Sequence, residues 1–194
     1  SDAVQRCRGE IFEVDGSKME GGGQILRLCL GLAAILGHTL RLKNIRRGRK
    51  KAGFRSQHLA CVRLLHRLGR ASQKSGFDIG STEAEVKMQG IAAPPAPQKE
   101  GSGICDYFSK SDTGGCCTLI VQAILPVLSF QHGRQQALTV RLCGSTSGAF
   151  SPPSAHLNLV LRPILKMMGL NVQVDITRRG FPTKGIGELR VAVE

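Results

Sequence analysis

The 194-residue sequence predicts an α+β fold of two tandem β-α-β-α-β-β units, each a small four-stranded sheet backed by two helices. Three observations predict it. Strand-period segments alternate with helix-period segments, their order recurs once along the chain, and both halves open their first helix on a glycine pair.

Period-two alternation marks the strands: Phe12-Glu-Val14, Leu40-Arg-Leu42, Ala84 to Met88, Leu138 to Leu142, Val172 to Ile176 and Leu189 to Val193. Helical stripes lie between them. Ile25, Leu28, Cys29, Leu32 and Leu36 form the first, and Cys61, Val62, Leu65 and Leu68 the second. Ile120, Ala123, Ile124, Val127 and Leu128 form the third, and Leu157, Leu161, Ile164, Leu165 and Met168 the fourth. Gly37 and Gly169 stand where helices stop. The glycine pairs are Gly22-Gly23 and Gly114-Gly115.

The first unit spans 10–90 and the second 103–194, joined by a Pro- and Ala-rich connector at 91–102. One continuous sheet with a long loop is the alternative. Residues 1–9 read as disordered or as a cloning remnant, since no apolar stretch of a targeting signal follows Ser1-Asp2-Ala3. The last strand runs to Glu194 with no polar tail, which reads as a chain cut short.

A 41% hydrophobic and 21% charged composition is that of an ordinary soluble domain. No apolar run nears the ~20 residues of a membrane span. Charge is more informative. Lys and Arg number 27 against 14 acidic residues, a net +13, and between Glu20 and Asp78 the chain carries thirteen basic residues and no carboxylate. Such a patch fits a polyanionic partner such as nucleic acid, or a solvated surface or sorting signal. With 7 Phe, 1 Tyr and no Trp, a base-stacking platform is disfavoured, leaving phosphates as the target. The seven cysteines contain no Cys-x-x-Cys pair, which argues against zinc or a disulfide framework and for small core residues in a reducing compartment.

Two segments carry candidate chemistry. In Asp15-Gly-Ser-Lys-Met-Glu20-Gly21-Gly22-Gly23-Gln24-Ile-Leu-Arg27, three glycines between a strand and a helix would expose amides at a positive helix end, a cradle for phosphate. Glu20, Gln24, Arg27 and Gly31 share one helical face, which suits a metal–phosphate site with Glu20 on a divalent ion and Arg27 on a phosphate oxygen. A capped amphipathic helix with a solvated face is the plainer reading. The second segment, Ile45-Arg46-Arg47-Gly48-Arg49-Lys50-Lys51-Ala52-Gly53-Phe54-Arg55-Ser56-Gln57-His58, leaves a strand and enters a helix, again favouring anions. It lacks the Gly-Lys-Ser/Thr ending of a P-loop.

Together these segments resemble the signature of the RNA 3'-terminal phosphate cyclases: Val-Asp-Gly-Ser-x-Met-Glu-Gly-Gly-Gly-Gln-Ile-Leu-Arg, then Ile-Arg-x-Gly-Arg-x-x-x-Gly-x-Arg-x-Gln-His-Leu. The likeness continues through Gly114 to Pro126, Gly144 to Pro153 and Arg179 to Glu188. The resemblance implies a repeat architecture shared with enolpyruvyl transferases, and an ATP-dependent ligase. That enzyme adenylates a histidine with the help of a divalent metal (Mg or Mn) and passes AMP to an RNA 3'-phosphate. The 2'-hydroxyl then closes a 2',3'-cyclic phosphate. It further implies Glu20 as the metal carboxylate, Arg27, Arg46 and Arg49 as phosphate ligands, and Gly21, Gly22, Gly23, Gln24 and Gln57 around the nucleotide. Gln122 would line the nucleotide site, Pro152 would pack on adenine, and His58 would support.

The sequence departs from the family as well. None of His38, His58, His66, His132 or His156 stands in the context of the family's nucleophile, and a third repeat and an inserted domain are missing. The resemblance therefore implies no turnover from this chain alone. Ile186 and Ser145 replace usual glycines, and the loop from Pro94 to Ser111 is long. A catalytically silent relative used in ribosomal RNA maturation is the alternative, though such relatives depart at the Glu-Gly-Gly-Gly-Gln and Arg-x-Gly-Arg positions that are intact here. A generic basic RNA-binding module is a third reading. The expected partners are ATP and RNA with a 3'-phosphate end, with no membrane. A sheet edge left by a missing repeat would invite a second copy. The expected compartment is the nucleus, with the cytoplasm as the other.

Overall fold

The computed structural model describes residues 10–18, 20–91, 115–131, 138–182 and 186–193, and the backbone of 105–110. The N-terminal residues 1–9, residues 92–102 of the connector, Gly114, His132, Lys184 and Gly185 lie outside the described residues. The chain divides into two compact units, Ser1–Ala92 and Ala93–Glu194.

In the first unit β1 (Ile11–Asp15) leads to α1 (Gly23–Leu36), β2 (Thr39–Lys43), α2 (Ser56–Leu68), β3 (Gln73–Ser75) and β4 (Ala84–Lys87). The sheet order is β1-β2-β4-β3, with β1 and β2 parallel and the other pairs antiparallel. The second unit repeats this plan. It contains β5 (Cys105–Lys110), α3 (Cys117–Ser129), β6 (Leu138–Gly144), β7 (Val172–Arg178) and β8 (Gly187–Val193), in the order β5-β6-β8-β7. Its second helical segment is composite: α4 (Ser154–His156), a π turn (Leu157–Leu161) and α5 (Arg162–Met167). The α+β class and the small helix-backed sheets match the sequence reading. Two strands gave no periodic signal of their own, β3 and β5.

Alternation sorts the sheets. Along β8 the residues Leu189, Val191 and Val193 are buried while Arg190 is exposed. The first core gathers Leu26, Leu30, Leu42, Leu64, Leu65, Leu68 and Val86, and the second Ile120, Ile124, Leu128, Val140, Leu142, Leu189 and Val191. The second and third sequence stripes are core faces, with all their members buried.

The other two stripes are corrected. On α1, Leu28 and Leu32 are 49% and 55% exposed, and the buried face is instead Leu26, Leu30, Gly31, Ala33 and Ala34. The helix is apolar nearly all round, so its period cannot choose a face. Close packing chooses the one with small residues: a Cβ added at Gly69, at the end of α2, would lie 2.7 Å from the Ala34 Cβ. In the fourth stripe only Leu157 is buried. There the Arg162 amide bonds the Leu157 carbonyl, and Pro163 has no amide to offer Leu159, so the helix widens and its phase shifts. Gly37 does stop α1, in left-handed conformation (φ 75°) with its amide on the Ala33 carbonyl at 2.9 Å.

Candidate active site

The turn after β1 is built before any charge is placed on it. The Asp15 carboxylate accepts from the Ser17 amide at 2.9 Å and the Ser17 hydroxyl at 2.7 Å, and these bonds hold its carboxyl below the usual range. The Gly16 amide reaches the Lys43 carbonyl at 2.7 Å. Gly21 takes φ 53°, which a glycine adopts without strain, and Gly22 begins α1 with no side-chain cap and no acidic residue in the first turn. The helix end therefore keeps its positive character.

The basic loop between β2 and α2 is anchored at both ends. Ile45 and Phe54 are fully buried, and their amides bond the Thr82 and Ser81 carbonyls at 2.9 and 3.1 Å. The Gly53 amide closes the loop on the Ile45 carbonyl at 2.8 Å. Arg46 sits at φ 53°, an uncommon conformation for a residue with a side chain, and its guanidinium donates to the Gly53 carbonyl at 3.1 Å. Burial, Arg55 and Arg49 all act against the Arg46 charge. Cations crowded in this way are relieved by an anion.

Loop and turn meet. Arg49 donates to the Glu20 carboxylate at 3.4 Å, an exposed contact of small energy, and a Cβ on Gly22 would stand 3.3 Å from an Arg49 nitrogen. A Cβ on Gly23 would meet Arg27 at 3.1 Å and His58 Nε2 at 2.5 Å. Arg27, Arg46 and Arg55 all bear on His58. Glu20, Gly22, Gly23, Arg27, Arg46 and Arg49 are thus brought to one place, with the Gly21 turn beneath them. Gln24 is exposed in the first turn of α1, and Gln57 half-buried in the first turn of α2, one residue before His58. Gln122 and Pro152 belong to the second unit. Gln122 is exposed on α3, its carbonyl deprived of the usual helical amide by Pro126, and the Pro152 carbonyl accepts from Thr118 at 2.7 Å. In that unit Cys116, not a glycine, stands at the helix start.

Sequence reasoning left two members without a firm place, Arg55 and His58. The signal was a histidine in the first turn of a helix that follows an arginine loop.

A divalent ion can be tested against these residues. Among the described residues no group of three or more His, Cys, Asp or Glu side chains could cage a metal. Glu20 alone, 90% exposed, fits an ion held jointly by one carboxylate and by phosphate oxygens, the usual arrangement for Mg²⁺. Among the described cysteines, Cys29, Cys61, Cys116, Cys117 and Cys143 are free thiols, and burial pushes Cys61 and Cys117 up to about 12.

The fold defines a protein of duplicated β-α-β-α-β-β units with an arginine loop and a glycine turn in the first. The profile of the RNA 3'-terminal phosphate cyclase family matches residues 18–194, and the chain belongs to that family. An RNA 3'-terminal phosphate cyclase of Staphylothermus marinus is 37% identical over 95% of this chain and 48% of its own length. Those of Methylococcus capsulatus and Nostoc punctiforme are 36% and 37% identical, each over 94% of this chain and 48% and 50% of their own. The chain spans about half the length of the curated relatives it matches. These relatives come from archaea and bacteria, so membership carries no nuclear address. No described helix is long and apolar enough to cross a membrane.

Proposed function

We propose that this chain is the phosphate-binding part of an ATP-dependent RNA 3'-terminal phosphate cyclase. It holds the triphosphate of ATP and the phosphate of an RNA 3' end between the glycine turn and the arginine loop. The observation that carries this reading is the convergence of Gly22, Gly23, Arg27, Arg46 and Arg49 with one exposed carboxylate, Glu20. The uncapped helix end and the guanidinium forks would bind and orient phosphate oxygens, and they would offset charge that develops on a transferring group. A divalent ion, where bound, would be held by Glu20 and phosphate oxygens and would supply further charge neutralisation. For Gln122 and Pro152 the family resemblance alone supports a nucleotide-binding role. The histidine that accepts AMP would belong to the part of the relatives' length outside this chain, so binding without turnover is the expected property. The outer strands β1, β3, β5 and β7 offer edges for a second copy. The cytoplasm is the compartment this reading favours.

The test compares two RNA oligonucleotides that differ only in ending with a 3'-phosphate or a 3'-hydroxyl, titrated with the chain in Mg²⁺. A preference of about tenfold for the phosphate end, lost in Arg46→Ala/Arg49→Ala, is expected from two charge-assisted contacts. Equal binding of both ends, with steep salt dependence, would instead describe a generic basic RNA binder.

A further inference from the structure

Among the described residues, His58 is a titratable side chain placed between the glycine turn and the basic loop whose role the anion reading leaves open. It is 9% exposed. Its Nδ1 accepts from the Arg55 amide at 3.1 Å, which closes the first turn of α2. The Arg55 carbonyl in turn accepts from the His58 amide at 2.8 Å, while its guanidinium has no acceptor to offer. An imidazole that accepts at Nδ1 carries its hydrogen on Nε2 when neutral, and Nε2 is the atom against Gly23. One ring therefore accepts from the Arg55 amide and fills the space that a side chain at Gly23 would need. A side chain at Gly23 would displace it.

We propose that His58 is a positioning residue of the anion site: as an uncharged imidazole it ties the basic loop, through the Arg55 amide, to the glycine turn at Gly23. In doing so it sets the distance between the arginines and the helix-end amides that a polyphosphate must bridge. The inference rests on the anion-site reading above. Protonation would convert Nδ1 into a donor facing the Arg55 N–H and break the tie. The charged groups around the ring all resist that protonation: Arg27 from α1, and Arg46 and Arg55 from the basic loop. The aromatic ring of Phe54 lies 6.5 Å from the imidazole, centroid to centroid. A cationic ligand role for His58 would need the opposite environment.

The test measures binding of inorganic tripolyphosphate and of sulfate to the 194-residue chain and to the H58A and H58N variants, at pH 6.0 and pH 8.0. Asn can place an acceptor near the Nδ1 position, and Ala cannot. Loss of a helix-start bond predicts that H58A binds about tenfold more weakly and that H58N recovers to within about threefold. The ratio of parent to H58N affinity should be the same at both pH values, since a neutral ring contributes no charge. Amide exchange at Arg55 should quicken in H58A and not in H58N. A ratio that grows at pH 6.0 would make His58 a cationic ligand and overturn the proposal, as would parent-like binding by H58A. If H58A does not fold, H58N still decides: tenfold weaker binding with a protected Arg55 amide would sink the tie. Failure of the parent chain to bind either anion would remove the anion site itself, a result distinct from all of these.

Discussion

His58 stays neutral because burial keeps water from the ring and because Arg46, Arg27 and Arg55 repel a proton there, so its pKa falls from 6.5 to about 4. The consequence for stability has a definite sign. In the unfolded chain the ring takes up a proton as pH drops below about 6.5, and in the folded chain it resists until about 4. The folded state therefore keeps this contribution fully above pH 6.5 and loses it as pH falls toward 4, by up to about 3 kcal/mol. Urea unfolding of the parent and of H58N should diverge accordingly. The parent should lose stability relative to H58N between pH 6.5 and 4.5, and parallel curves would show that the ring titrates normally. At this scale the sequence was partly legible. Glu20 and Arg27 could be named from the glycine turn and their spacing, and Arg46 and Arg49 from the resemblance to the family signature. The proximity of His58 to Gly23 could not, since 34 residues of intervening chain separate them and only the packing of α1 on α2 brings them together.

Among the elements, the arginine loop owes its shape to apolar anchors more than to its cations. Ile45 and Phe54 fix its ends, and Gly53 turns it at φ 73°. A Cβ at Gly53 would collide with the Gly80 carbonyl, and the backbone there is one that side chains resist. Gly53→Ala should cost at least about 2 kcal/mol and weaken tripolyphosphate binding together with stability, as read by thermal melting and titration. Unchanged melting would mean that the loop is not braced against residues 80–82. Strands were legible wherever one face is buried, as in β8. The strand β3 was not, because Gln73, Lys74 and Ser75 are all exposed and no face alternates. The helix α1 failed differently: with apolar residues on most of its surface, periodicity identified a helix and misassigned its buried side.

For the whole molecule, the two units share one strand order but not one electrostatic character. Family membership and half the relatives' length together set an expectation for chemistry. Incubated with labelled ATP and Mg²⁺, this chain should acquire no covalent AMP. A protein of the relatives' full length carrying the same first unit should acquire it, and should lose it on Glu20→Ala without loss of fold. Label on the 194-residue chain would mean that one of its own histidines or lysines accepts the nucleotide.

The link between the second strand and the second helix is where the units part company. In the first unit it runs from Asn44 to Arg55, twelve residues of which six are Lys or Arg; in the second it runs from Ser145 to Pro153, nine residues with none. Each link follows the second strand of a parallel pair, β1 with β2 and β5 with β6, at the equivalent place in its own sheet. One strand order thus carries a cationic link in one unit and an uncharged link with two prolines in the other, each over its own hydrophobic interior, so the link sets surface charge without being set by the core.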